Sequence, residues 1–206
     1  MSDAVIEPTS TRDRMIAEAR ELFADRGFYG VSIAQIAAEL GLTKQALLHH
    51  FGTKAKLYGL VLEQIANELA ELRPGSDLSD DPAEQLVEYF VAMISDTPEK
   101  VSRSRLLMRE ILDNRARAEM AGSWYLKSFL EELTAMLRAV PRWTKASDEK
   151  VLAAIIQLLG AVNYHAVSGP TFRGIFGAQS IDRVDAAFEN QLRITVGAVL
   201  KTGPAD

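Results

Sequence analysis

"VSIAQIAAELGLTKQALLHHF", Val31 to Phe51, holds two short helical patterns around a single glycine. Ser32 with Gln35 three residues later forms a capping box, in which side chains and backbone amides satisfy each other at a helix start. Ile33, Ile36, Ala37 and Leu40 then recur along one face. Gly41 ends the run between two leucines, and a glycine takes the left-handed conformation that a sharp helix-to-helix turn needs. Thr43 is placed to cap a second helix reaching about His50. The expected product is a tight helix-turn-helix, whose second helix has the form that enters a DNA major groove.

Charge points the same way. From Gly41 to Tyr58 the chain carries Lys44, Lys54 and Lys56 and no carboxylate, although its net charge is −5. In residues 1–60 seven basic side chains balance seven acidic ones, so the whole deficit lies further on. A neutral head with one basic strip on an acidic body suits a DNA reader, since a carboxylate in that strip would face phosphates. A solvated charge run is the other reading of the charge alone. The outward residues of the second helix are Lys44, Gln45, His49 and His50, with Ala46 small enough to admit the backbone. Glutamine pairs with adenine, and lysine reaches guanine or phosphate.

The rest of the chain reads as helix, giving an all-α fold of about nine helices. Ser10 caps a first helix to about Arg26, with Ile16, Ala17, Leu22 and Phe23 inward and Gly27 as its stop. Thr53 caps a helix to about Arg73. Asp81-Pro82 opens one to about Ser95, and Thr97-Pro98 opens one to about Asp113. Further helices are expected over 116–139, from Ser147 to Val167 and over 181–200, with 168–180 as a glycine-studded loop. Residues 1–53, ordered from about 10, form the expected helix-turn-helix domain, and 54–206 form a second domain.

Several functions are disfavoured. Cysteine is absent, which removes disulfides, thiolate zinc sites and cysteine nucleophiles. His49 and His50 diverge by about 100° on a helix, and His165 lies far along the chain, so no metal is expected. There is no nucleophile–base pairing, phosphate loop or cofactor fingerprint, so neither an enzyme nor a cofactor is expected. No signal peptide and no apolar run of about 18 residues is evident, which makes a cytoplasmic protein the expectation.

The run from Phe23 to Tyr58 resembles the DNA-binding head of the tetracycline-repressor (TetR) family of bacterial transcriptional regulators. The matching features are Phe23, Gly27-Phe28, Ser32, Ile36-Ala37, Gly41, Thr43, His50-Phe51, Lys54 and Leu57-Tyr58. The resemblance implies that Ser32 meets a phosphate, that Thr43, Lys44, Gln45 and Ala46 begin the recognition helix, and that His49 and His50 lie at its far end. It places Lys54 against the DNA backbone, where an ammonium favours phosphate. Leu48 departs from the pattern, which usually has a phosphate-contacting tyrosine there.

The remaining expectations concern the body. The segment from Lys150 to Val167 is apolar nearly all round and must be covered on every side. The last helix shows a stripe of Ile181, Val184, Phe188, Leu192, Val196 and Val199. Pairing of helices 150–167 and 181–200 with their symmetry mates makes a homodimer through a four-helix interface, the mode that the resemblance also implies. The resemblance further implies a small-molecule cavity in the body. Its candidate residues are Phe90, Met93, Met108, Arg109, Trp124, Tyr125, Phe129, Gln157, Asn163 and Tyr164. The expected function is a sequence-specific regulator, a repressor released from a pseudo-palindromic operator by a small-molecule effector. The alternative is a helical module that binds only protein.

Overall fold

The computed structural model describes residues 10–75, 79–94, 97–113 and 125–204. Among these residues it is all-α, with nine α-helices: α1 (Thr11–Gly30), α2 (Ile33–Glu39), α3 (Lys44–Phe51), α4 (Lys54–Glu71), α5 (Pro82–Ala92), α6 (Pro98–Asp113), α7 (Lys127–Ala139), α8 (Asp148–Phe176) and α9 (Ala178–Thr202).

The described chain falls into two compact units. One holds residues up to Ala66 together with the stretch from Arg105 to Tyr125, and the other holds Asn67–Ser104 and the chain from Leu126 onward. The units part within α4 and α6, not at residue 53. Packing explains this, because Leu57, Tyr58, Val61 and Leu62 of α4 and Leu106 and Glu110 of α6 are buried in the first unit.

In the first unit Ser10 caps α1, accepting from the Asp13 amide at 3.1 Å. Met15, Ile16, Ala19, Leu22 and Phe23 are buried, whereas Ala17, expected inward, is exposed one step round from Ile16. Gly27 breaks α1 at φ 73° and ψ 170°, a conformation open essentially to glycine. The break leaves carbonyls near the end of the first segment without helical partners. Arg109 of α6 supplies donors, its Nε reaching the Ala24 carbonyl at 2.8 Å and its Nη2 the Asp25 carbonyl. Below lies an aromatic cluster in which Tyr58 meets Phe23 and Phe28 edge-on, at 4.9 and 5.1 Å. The Tyr58 hydroxyl donates to the buried Glu110 carboxylate.

In the second unit α5 packs on α7, α8 and α9, and α8 on α9. Arg193 of α9 forks onto both Glu88 oxygens of α5. Tyr89 is buried and donates to the Leu69 carbonyl at 2.7 Å. Burial, and after it the Glu132 carboxylate, push the Tyr89 phenol above its ordinary range.

Four further expectations change here. The helix expected over 116–139 begins at Lys127, with Tyr125 and Leu126 in a turn, and its 116–124 portion lies outside the described residues. The helix expected to stop at Val167 continues through Ser168, Gly169 and Pro170 to Phe176. Only Gly177, at φ 82°, separates it from α9, so the expected loop is helix. Contacts outweigh the breakers: Arg173 pairs with Asp182 at 2.6 Å and Asp185 at 3.1 Å, and Phe172 meets Tyr164 and Phe176. The longer α8 is also apolar enough, by length and composition, to cross a membrane, which the sequence reading did not anticipate. Finally, Val184 is exposed, while Ile181, Leu192, Val196 and Leu200 form the buried line of α9.

Gly27→Ala should destabilise the first unit by about 1–3 kcal/mol, the cost of a side chain in that backbone region. Denaturant melts of the variant and the parent measure it.

Candidate nucleic-acid interface

The reading helix is positioned by its two ends. At the start of α2 the Ser32 Oγ accepts from the Gln35 amide at 3.2 Å, and the Gln35 side chain accepts from the Ser32 amide at 2.8 Å. The capping box is therefore complete, and the exposed Ser32 hydroxyl keeps a proton to donate. At the end of α2 the Leu42 amide donates to the Ala37 carbonyl at 2.8 Å and the Gly41 amide to Ala38 at 3.0 Å. This is a Schellman pairing, with Gly41 at φ 66°. Thr43 then accepts from the Ala46 amide at 3.1 Å and starts α3.

Leu47 and Phe51 bury one side of α3. That packing turns Lys44, Gln45 and His49 outward, where all three are exposed on one arc about 140° wide at 100° per residue. Thr43 is exposed at the leading end, Ala46 is half-buried to one side of the arc, and Leu48 is half-buried within it. His50 is exposed too, but points about 100° away from His49. It joins Phe51, Gly52, Lys56, Leu60 and Tyr125 around an open hollow of about 460 Å³.

Lys54 departs from its expected orientation. Its Nζ donates to the carbonyls of Phe28 at 2.8 Å and Val31 at 3.0 Å, and lies 4.2 Å from the centre of the Phe28 ring. The ammonium is thus spent on the link between α1 and α2.

The residues expected to line an effector cavity are divided between the two units. Phe90, Met93 and Phe129 are buried in the second unit. Met108 and Arg109 are half-buried in the first, where Arg109 binds the α1 carbonyls. Tyr125 borders the hollow beside His50. Gln157, expected to need an interior partner, is exposed on α8, and Tyr164 is 60% exposed. Asn163 donates to the Leu159 carbonyl of its own helix at 2.9 Å. Trp124 lies outside the described residues. Ser102, Arg103 and Ser104 are polar residues buried on α6 that the expected site does not include, and Arg103 reaches the Met93 carbonyl at 3.3 Å. The available signal was the polar run "SRSR" in a helix that needs an apolar face.

Comparison with known proteins agrees with this geometry. The model of the family described as bacterial regulatory proteins, tetR family, matches residues 15–61, from α1 into α4. Over 97% of its length the chain is 25% identical to the HTH-type transcriptional regulator RutR of Escherichia coli K12, covering 99% of that protein. It is 24% identical to the HTH-type transcriptional regulator UidR of the same strain, covering 97% of this chain and 98% of UidR. A transcriptional regulator from Rhodococcus sp. RHA1 shares the fold, with a TM-score of 0.68 at 18% identity over 96% of this chain and 100% of that one. A capped helix-turn-helix with an outward polar face, the family match across it and similarity to two such regulators along nearly the whole chain lead to one assignment: residues 15–61 form a DNA-binding head of the kind found in the tetR family of bacterial regulatory proteins, and the chain is a DNA-binding transcriptional regulator.

Proposed function

We propose that the protein is a cytoplasmic homodimeric repressor that reads a pseudo-palindromic operator and is released from it by a small-molecule effector. The observation that carries the dimer is the uncovered apolar face of the α8–α9 hairpin. Leu152, Ile156 and Tyr164 of α8 recur at multiples of four residues and are exposed, Ile156 by 61%. On α9, Val184, Ala187, Gln191, Ile194 and Ala198 are exposed at helical spacing, Ile194 by 57%. Water is a poor neighbour for such a face, and a second copy covers it isologously. Lipid suits it less, because a bilayer would have to take in Arg173, Asp182 and Asp185 at one end of the hairpin and Gln157 along α8.

A two-fold dimer sets two α3 helices on one face of the duplex, about one helical turn (~34 Å) or a multiple of it apart. Within each half-site Gln45 and Lys44 read base edges, His49 lies further along the same face, and Ser32 and Thr43 meet phosphates. For the effector we assign Phe90, Met93 and Phe129 as apolar wall and Arg103 as the polar group, all in the second unit. An effector that prefers one head spacing over another changes operator affinity by the ratio of its affinities for the two states.

Selection of bound duplexes from a random library at physiological salt should enrich an inverted repeat. No enrichment in the presence or absence of added metabolites would favour the protein-only module. Gln45→Ala should flatten the preference at one position of each half-site, where a bidentate pair carries about 1–3 kcal/mol of discrimination. Ile156→Glu should yield a folded monomer in sedimentation and lose tight binding to the full repeat; a dimer that persists would refute the α8–α9 interface. Among metabolites that raise the melting temperature, at least one should weaken operator binding, because the coupling is reciprocal. If every stabilising compound leaves operator affinity unchanged, the sensing role fails.

A further inference from the structure

The basic strip carries three ammonium groups, and their surroundings differ. We infer that Lys54 is a positioning residue of the head, and that the backbone-phosphate contact at this edge of the helix-turn-helix belongs to Lys56 beside His50. The inference rests on the DNA-binding reading above and says which cation serves it.

Lys54 is held on three sides. Two of its donors go to Phe28 O and Val31 O, and the Phe28 ring lies beneath it at 4.2 Å. Those carbonyls bracket the segment between the Gly27 break and Ser32, the cap of α2. Lys54 therefore sets where α2 starts relative to α4, and through α2 where α3 lies. Turning the ammonium toward DNA would strip both part-buried carbonyls of a charged donor and give up the ring contact, each a loss that a phosphate must first make good.

Lys56 stands two residues on, about 200° round α4 from Lys54. It is exposed and lines the 460 Å³ hollow with His50, at the end of α3 opposite Thr43. Its Nζ hangs over the turn after α3, 3.8 Å from the position a Cβ would take on Gly52. Among the described residues no carboxylate borders the hollow; its lining is His50, Phe51, Gly52, Lys56, Leu60 and Tyr125. An ammonium and an imidazole above an apolar floor, with no acidic competitor among the described residues, suit a phosphate oxygen. A helix seated in the major groove has a phosphate strand running past its end. Lys56 lies near enough in sequence and space to α3 to meet that strand, while Lys54 is occupied inside.

The salt dependence of binding separates the two lysines. Binding of the wild type, Lys54→Gln and Lys56→Gln to the enriched inverted-repeat duplex is measured over a range of salt, alongside their melting temperatures. Lys56→Gln should lower the slope of log K against log salt by about 0.9 for each phosphate that a subunit no longer neutralises, with the melting temperature unchanged. Lys54→Gln should keep the wild-type slope while melting lower and binding more weakly. A reduced slope for Lys54→Gln, or an unchanged slope for Lys56→Gln, overturns the assignment. If Lys54→Gln fails to fold, the strut role is supported, since a surface phosphate contact does not hold a domain together, and the Lys56→Gln slope decides the rest. A wild type that binds no duplex counts against the DNA reading itself, and the melting of Lys54→Gln still tests the strut.

Discussion

Helix ends must have their backbone groups satisfied, and the link from Leu40 to Thr43 meets that requirement twice within four residues. The Gly41 and Leu42 amides close the carbonyl end of α2, and Thr43 receives an amide at the start of α3. With both ends closed the link has little freedom left, so the angle between α2 and α3 follows from it. Leu47 and Phe51 are then directed inward, and the polar arc of Lys44, Gln45 and His49 is directed outward. Every later feature of the candidate DNA-reading surface depends on that orientation.

The break at Gly27 has an equally wide reach. Backbone carbonyls on both sides of that break accept from side chains, at Ala24 and Asp25 before it and at Phe28 and Val31 after it. Cations from elsewhere in the first unit satisfy both groups: Arg109 from α6 and Lys54 from α4. Both residues look like ligand contacts when read as isolated charges in a sequence. Their structural work follows from one glycine whose backbone conformation forces the α1 ladder to stop. The buried Tyr58–Glu110 hydrogen bond adds a further tie between α4 and α6.

In the second unit the α8–α9 hairpin combines a polar end with an apolar flank. Arg173 bridges Asp182 and Asp185, and His165 lies against Asp185 at 3.1 Å with its ring stacked 3.6 Å from that of Phe188. These contacts hold α8 helical through Gly169 and Pro170, where local propensity favours a loop. The extension carries the exposed Ile175 and Phe176 as well, so the same contacts that override the breakers lengthen the apolar face.

The all-α class, the capping residues Ser10, Ser32, Thr43 and Asp81, the left-handed Gly41 and the helix-turn-helix were legible in the chain because each depends on residues within one turn of each other. The outward face of α3 was legible for the same reason, since 100° per residue places it once Leu47 and Phe51 are inside. Only the tertiary structure decided the destinations of Lys54 and Arg109, because their partners are backbone carbonyls 23 or more residues away and carbonyls have no sequence signature. The same holds for the length of α8, where Pro170 and two glycines argued for a loop and ion pairs to α9 prevailed. By itself, then, the sequence determined the local hydrogen-bonding pattern and the helix-turn-helix that follows from it. Which charged side chains stay exposed, and which are drawn inward, was decided by three-dimensional packing, because a long flexible cation goes wherever an unsatisfied acceptor lies within its reach.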